Sequence, residues 1–182
     1  MEKDNRFKGV NSIKFYQHFQ SDEDCYKYLS EIKWTEGYIC RKCGNSTYCK
    51  GHRLYSRRCN RCKYDESPTA GTMFDKLKFS LLIAFHIVFK ICTKKKGMSS
   101  LELSEEFEIR QMTAWQFKWK IQQAMHSSGR FPLQGVVHVD EFLIGEYEEG
   151  KKGRSGDSKK KLVVVALEIL REEGVGRAYA QV

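Results

Sequence analysis

The 182-residue chain carries 32 Lys and Arg against 23 Asp and Glu, a formal charge of +9. Nucleic acid or another polyanion is therefore the expected partner class, with nothing implied about sequence preference. With 41% apolar and 13% aromatic residues and two prolines, the composition excludes a disordered chain and suits one full domain or two small ones.

The longest apolar stretch, Phe79 to Cys92, is broken by His86 and Lys90 and falls short of the roughly 20 residues that cross a bilayer. No membrane is expected as a partner. Met1 to Arg6 is polar with no apolar run behind it, so the reading is a cytoplasmic protein without a signal peptide. In that reducing setting seven cysteines, four of them in two C-x-x-C pairs, favour metal over disulfides.

Residues 1–36 read as a helical lead-in. Phe15, Tyr16 and Phe19 precede Ser21-Asp-Glu-Asp24, an N-cap serine with acids in the first turn. The helix should run to about Lys33 and turn Cys25, Tyr28, Leu29 and Ile32 inward.

Residues 37–75 read as a zinc ribbon. Cys40-Arg-Lys-Cys43 and Cys59-Asn-Arg-Cys62 are separated by residues 44–58, a spacing that aims two thiolate pairs at one ion, with Tyr48, Leu54 and Tyr55 in short β-like pieces. Four free thiols are the alternative. Four cysteines close a tetrahedron, so Zn²⁺ here is structural, with no position left for water. Cys49 lacks a paired knuckle and is a bystander. Arg57, Arg58 and Arg61 lie close to the metal, where they suit phosphate contacts or a solvated face.

Residues 76–128 read as three helices. The first starts near Leu77, ends before Lys94 and is apolar almost all round, the central strut of a helical unit. Ser99 or Ser100 caps the second, about Leu101 to Phe107, where Ser100-x-x-Leu lacks a full capping box. The third, about Gln111 to His126, buries Ala114, Phe117, Ile121 and Ala124 and keeps Gln111, Thr113, Gln116, Lys118 and Lys120 outward. A turn near Glu108-Ile109-Arg110 makes the pair resemble a helix-turn-helix, whose third-helix side chains reach base edges and phosphates. A plain three-helix bundle has the same pattern.

Residues 133–182 begin with Gly135 to Gly145, a β-branched run in which Asp140 and Glu141 fall on opposite faces. Two readings stay open: partly enclosed acids, of which Asp140 is a candidate metal ligand, or a strand ending near Asp140 with both acids solvated. Lys151, Lys152 and Arg154 sit in a basic polar loop, a third set of candidate DNA contacts. Leu162 to Leu167 is apolar without alternation, as in a strand buried on both faces. Residues 171–176 turn, and 177–182 form a third strand. The fold class is α+β: zinc ribbon, helix-turn-helix-like segment, then three antiparallel strands of an incomplete domain, with the chain expected to stop inside it.

The order of zinc ribbon, Thr69-Ala-Gly-Thr-Met-Phe74, Lys95-Lys-Gly-Met-Ser99, Thr113-Ala-Trp115 and Val139-Asp-Glu141 with Gly145 resembles the zinc-ribbon insertion-sequence transposases of the ISXO-two-like group, from about Phe15 onward. The resemblance implies an RNase H-like catalytic domain of the DDE type beginning at the Asp140 strand. It implies Asp140 as the first catalytic acid, helping to hold Mg²⁺ ions that stabilise attacking and leaving oxygens in strand cleavage and transfer. Glu141 accompanies it, and His138 departs from the acid expected two residues before Asp140. Asp157, Glu168, Glu172 and Glu173 are the acids further on, none placed as a second ligand. Double-stranded DNA at element ends and a homo-oligomer are the implied partners, and this copy is expected to be truncated. The alternatives are a non-catalytic zinc-containing DNA-binding protein or regulator and a zinc-ribbon protein-interaction module.

Overall fold

Side-chain caps set the helix starts in the first part of the chain. In the computed structural model, which describes residues 11–94, 96–125, 131–146, 149, 159–170 and 174–182, the Asn11 carboxamide accepts the Lys14 N–H and opens α1 (Ser12–His18). Ser21 and Asp24 form a reciprocal capping box at the head of α2 (Asp22–Lys33), satisfying two of the amides that every helix start leaves over. Ser80 caps α3 (Leu81–Thr93), and the Asp22 carboxylate accepts the Leu82 N–H at 2.7 Å. A second box, Ser99 with Glu102, opens α4 (Ser100–Glu106). A turn follows, with Glu108 at a φ of 50°, and α5 spans Gln111–Met125.

These caps correct one expected start and decide another between the two serines named for it. The strut helix begins at Leu81 rather than near Leu77, because the Ser80 hydroxyl takes the Ile83 N–H. The box on α4 uses Ser99, one residue before the serine whose spacing fails. The apolar sides of the helices meet in one core of Phe15, Phe19, Leu29, Phe74, Phe85, Ile87, Leu103, Phe117 and Ile121, with Phe74 stacked on Phe85 at 5.0 Å between ring centres. Ile32 is exposed, as is Ala124, against expectation; Ala124 lies in the last turn of α5, beyond Ile121, the final buried residue of that helix.

Between α2 and α3 lies a small antiparallel sheet in the order β1 (Tyr48–Lys50), β2 (Arg57–Cys59), β3 (Asp65–Glu66). Tyr48 is in β1 as expected, whereas Leu54 and Tyr55 are in the connecting turn, where Tyr55 has a φ of 53° and Ser56 Oγ holds Arg53 by accepting its N–H and donating to its carbonyl.

The described residues fall into two units divided after Met125. The second holds a separate antiparallel sheet, β4 (Val136–Ile144), β5 (Lys161–Leu170) and β6 (Gly174–Gln181), in that order. Its three-strand arrangement matches the sequence reading, but its burial does not. In β5 the residues at 163 and 168 are buried and the rest are half-buried or exposed, so the strand is not enclosed on both faces. β6 starts at Gly174, inside the expected turn. Glu168 sits where the β5–β6 register shifts, and its buried carboxylate accepts the Gln134 N–H at 2.9 Å and the Arg177 N–H at 3.1 Å. A Cβ on Gly176 would lie 2.4 Å from Glu168 Oε2, which is why glycine occupies that position.

In the first unit, Glu66 joins the helices to the ribbon. Its side chain is 1% exposed, and Oε1 meets Lys33 Nζ at 2.8 Å and Arg41 Nε at 3.1 Å. Lys33 Nζ also donates to the Ser67 and Ala70 carbonyls at 2.8 and 2.9 Å. Removing one partner of such a pair leaves an uncompensated buried charge, so Glu66→Ala is expected to lower the unfolding free energy by about 3–5 kcal/mol. Denaturant titration with zinc held in excess measures it; a loss under about 1 kcal/mol, the size of a surface pair, would show that the ion pair does not hold the unit together.

Candidate metal centre

The two C-x-x-C knuckles are built alike. In the first, the Gly44 N–H donates to the Cys40 carbonyl at 2.9 Å and Cys40 N–H to the Asn45 carbonyl at 2.9 Å; in the second, Lys63 N–H donates to Cys59 O at 3.0 Å and Cys59 N–H to Tyr64 O at 2.9 Å. Each closes on a left-handed residue directly after its second cysteine, Gly44 at φ 71° and Lys63 at φ 60°. Glycine adopts that conformation freely, whereas lysine is strained there.

The knuckles bring the four sulfurs of Cys40, Cys43, Cys59 and Cys62 within 4.8 Å of one another. Across the pairs, Cys40 Sγ lies 3.5 Å from Cys62 Sγ and Cys43 Sγ 3.6 Å from Cys59 Sγ. These separations are far longer than the roughly 2.05 Å of a disulfide. They approach the spacing of about 3.8 Å that four thiolates at about 2.3 Å from a tetrahedral zinc must take. Cys49 stays outside the cluster on β1, its thiol 3.6 Å from the Arg58 carbonyl.

The surroundings favour thiolates unevenly. Burial opposes ionisation of Cys59, but the Cys62 and Arg61 N–H groups and the Asn45 amide outweigh it and bring its pKa down to about 6. Burial likewise opposes ionisation of Cys40, and the Lys42 and Cys43 N–H groups carry it below the ordinary value. At Cys62 the Tyr64 N–H favours the thiolate, yet burial and the three neighbouring sulfurs hold it up to about 11. Adjacent negative sulfurs repel one another, and a divalent cation at their centre removes that conflict. Tyr38, also buried, is raised by burial and by the Cys40 and Cys59 sulfurs.

Of the basic residues singled out near the metal, Arg61 is exposed. Arg58 is half-buried, with Nη1 3.4 Å from His52 Nε2. Arg57 is held differently: its guanidinium lies 4.4 Å from the Trp34 ring centre and 4.2 Å from that of Tyr48, a cation–π sandwich that ties β2 to the end of α2. On α5, Gln111 and Gln116 are exposed, and Thr113 and Lys118 half-buried. Gln111 Nε2 donates to Ser100 Oγ on α4 at 3.2 Å. Lys120 does not point freely outward, since its Nζ donates to the Asp75 carbonyl at 3.1 Å. Lys151, Lys152 and Arg154 lie outside the described residues, as do Asp157, Glu172 and Glu173.

Asp140 and Glu141 are both exposed, in the middle of β4, so the structure has solvated acids without a strand that ends beside them. Asp140 Oδ1 accepts the N–H of Glu141 at 2.8 Å. Among the described residues no group of three metal-ligand side chains forms at Asp140; the four cysteines are the cluster found. Sequence reasoning did not single out Lys33, Arg41, Asn45 or Glu66 as supports of this centre. Of these, Arg41 packs closely on Gly71, where a Cβ would lie 2.2 Å from Arg41 Nη1.

One zinc per chain is expected, lost on Cys59→Ala. Excess chelator should lower the melting temperature of the first unit, because closing the knuckles around the ion is coupled to folding. Metal analysis with calorimetry checks both, and melting unchanged by chelator would exclude a structural metal.

Residues 20–65 match the transposase zinc-ribbon domain. The matched span takes in α2 together with both knuckles, and the contact of Arg57 on Trp34 lies within it. No curated protein and no solved structure matches the chain.

Proposed function

We propose that this chain acts in the transposition of an insertion sequence, binding duplex DNA through its first unit. The observation that carries the reading is a four-cysteine centre inside a span similar to a transposase zinc ribbon, in a chain of net charge +9. The metal is structural, since four thiolates leave no place for water or substrate. It fixes a cationic surface on which Arg58 and Arg61, rather than the sandwiched Arg57, meet phosphates. The α4–turn–α5 pair serves as the helix-turn-helix, with Gln111, Thr113 and Gln116 toward base edges and Lys118 toward the backbone. The basic loop of Lys151, Lys152 and Arg154 adds phosphate contacts. The 133–182 segment is assigned to an RNase H-like DDE domain in which Asp140 is one of the carboxylates that hold Mg²⁺ for strand cleavage and transfer.

A second reading, a DNA-binding protein without cleavage activity, is favoured by the exposure of Asp140 and by the lack of a further ligand set around it among the described residues. A carboxylate alone on a wet strand cannot hold two metal ions at catalytic spacing.

Duplex binding by the purified chain should weaken linearly in log K against log salt. Arg58→Ala and Arg61→Ala should each flatten that slope by about 1 for the phosphate contact removed. An affinity indifferent to salt would remove DNA as the partner. With Mg²⁺ present, Asp140→Asn is expected to abolish any nicking while leaving duplex affinity unchanged. Nicking that survives the substitution would take Asp140 out of the chemistry, and a wild-type chain that binds without nicking would leave the second reading.

A further inference from the structure

Where the ribbon meets the helical core of the first unit there is a hollow of about 510 Å³, within the range of small-molecule sites. Phe74 and Leu81 are its buried apolar lining, beside the half-buried rings of Tyr26 and Phe79. Arg53 and Lys76 also line it, both are exposed, and among the described residues neither has an ion-pair partner. The chain around the hollow is held in place. The Ser56 hydroxyl pins the Arg53 backbone by two hydrogen bonds, and turns at 69–72 and 72–75 lead to Lys76, whose φ is 55°. A lysine is strained there, and such strain gathers where a ligand is held. One polar atom of the lining is unsatisfied as well. Asp65 Oδ2 accepts the His52 N–H at 2.8 Å, but Oδ1 is buried without a partner, a cost that a donor from a bound molecule would remove.

We propose that this hollow holds one nucleotide unit, with the base against Tyr26 and Phe79 and the phosphate on Arg53 and Lys76. Charge selects the ligand. The two cations share the lining with two acids, Asp65 and Asp75, so a bare polyanion gains little there. A molecule that divides its own polarity fits better, offering an anion to the cations and amino hydrogens to the acids. A nucleotide does both, from the two ends of a flat ring that stacks on aromatic side chains. Intact duplex keeps each base inside its stack and has none to insert. The source is therefore a free mononucleotide or an unpaired nucleotide at a strand end. The second source rests on the DNA reading above, whereas the first does not. None of the residues assigned to the duplex lines this hollow.

Calorimetric titration of the full zinc-loaded chain with dCMP, deoxyribose phosphate and inorganic phosphate tests it. The nucleotide is expected to bind with a Kd of about 10 µM to 1 mM, and the two probes without a base about tenfold or more weaker. Arg53→Gln and Lys76→Gln should each weaken dCMP about tenfold. Both side chains are exposed, so zinc content and melting temperature should stay as in the wild type. No binding of dCMP, a sugar phosphate bound as tightly as dCMP, or an affinity indifferent to both substitutions overturns the proposal. A blunt duplex compared with the same duplex carrying a short single-stranded overhang separates the two sources. An overhang that binds more tightly and is displaced by dCMP marks the strand end as the ligand, and equal affinities with dCMP binding intact mark the free nucleotide. Failure of the DNA reading would appear separately, as dCMP binding by a chain without salt-dependent affinity for blunt duplex.

Discussion

The first unit depends on one buried carboxylate. Glu66, in β3, receives Lys33 from the end of α2 and Arg41 from the first metal knuckle, so three segments far apart in sequence meet on a single oxygen. A desolvated carboxylate is costly unless its charge is matched, and the match here extends beyond the two cations. The Lys33 ammonium is shared with the Ser67 and Ala70 carbonyls, which fixes the loop leading from the ribbon into the helical core. Three residues past Gly71, Phe74 enters that core and stacks on Phe85. The polar hub and the apolar core are thus consecutive stations on the same loop.

Arg41 makes the hub and the metal centre mutually dependent. It lies between Cys40 and Cys43, so the loop that aims two sulfurs at the metal also carries a cation to Glu66. A second tie runs on the other side, where Arg57 is clasped between Trp34 and Tyr48 two residues before Cys59. Both knuckles are therefore braced against the end of α2. A ribbon too small to bury a core of its own gains rigidity from these braces and from the ion. What remains for solvent or a polyanion is the outer ring of cations, including Arg61, that the braces do not consume.

Features set by local chemistry were legible in the sequence, and those set by tertiary neighbours were not. The cysteine spacing announced the metal centre because two short knuckles admit few other uses. Ser21, with acids after it, announced α2 for the same local reason. The second knuckle's left-handed residue gave no sign, since it is Lys63 rather than a glycine. The place of Arg57 between Trp34 and Tyr48 gave no sign either, because the two rings are 14 residues apart in sequence. Glu66 read as one acid among many, for its partners lie 33 and 25 residues away in sequence. Enclosed and solvated readings of Asp140 both stayed open, because alternation indicates which face a residue takes and not whether that face is covered; the structure has it exposed.

That last distinction bears on what Asp140 can do. Its neighbours across the register are Val165 on β5 and, beyond it, Ala180 on β6, and the same face continues with Phe142, Val163 and Leu167. An acid in the middle of an apolar face is poorly placed as a mere solubilising group, for which the edges of the strand would serve. Exposed as it is, the carboxylate is hydrated and has no need of a cation. Whatever covers Phe142 and the half-buried Val165 must also strip that water, and a carboxylate so stripped has to be paired with positive charge or protonated.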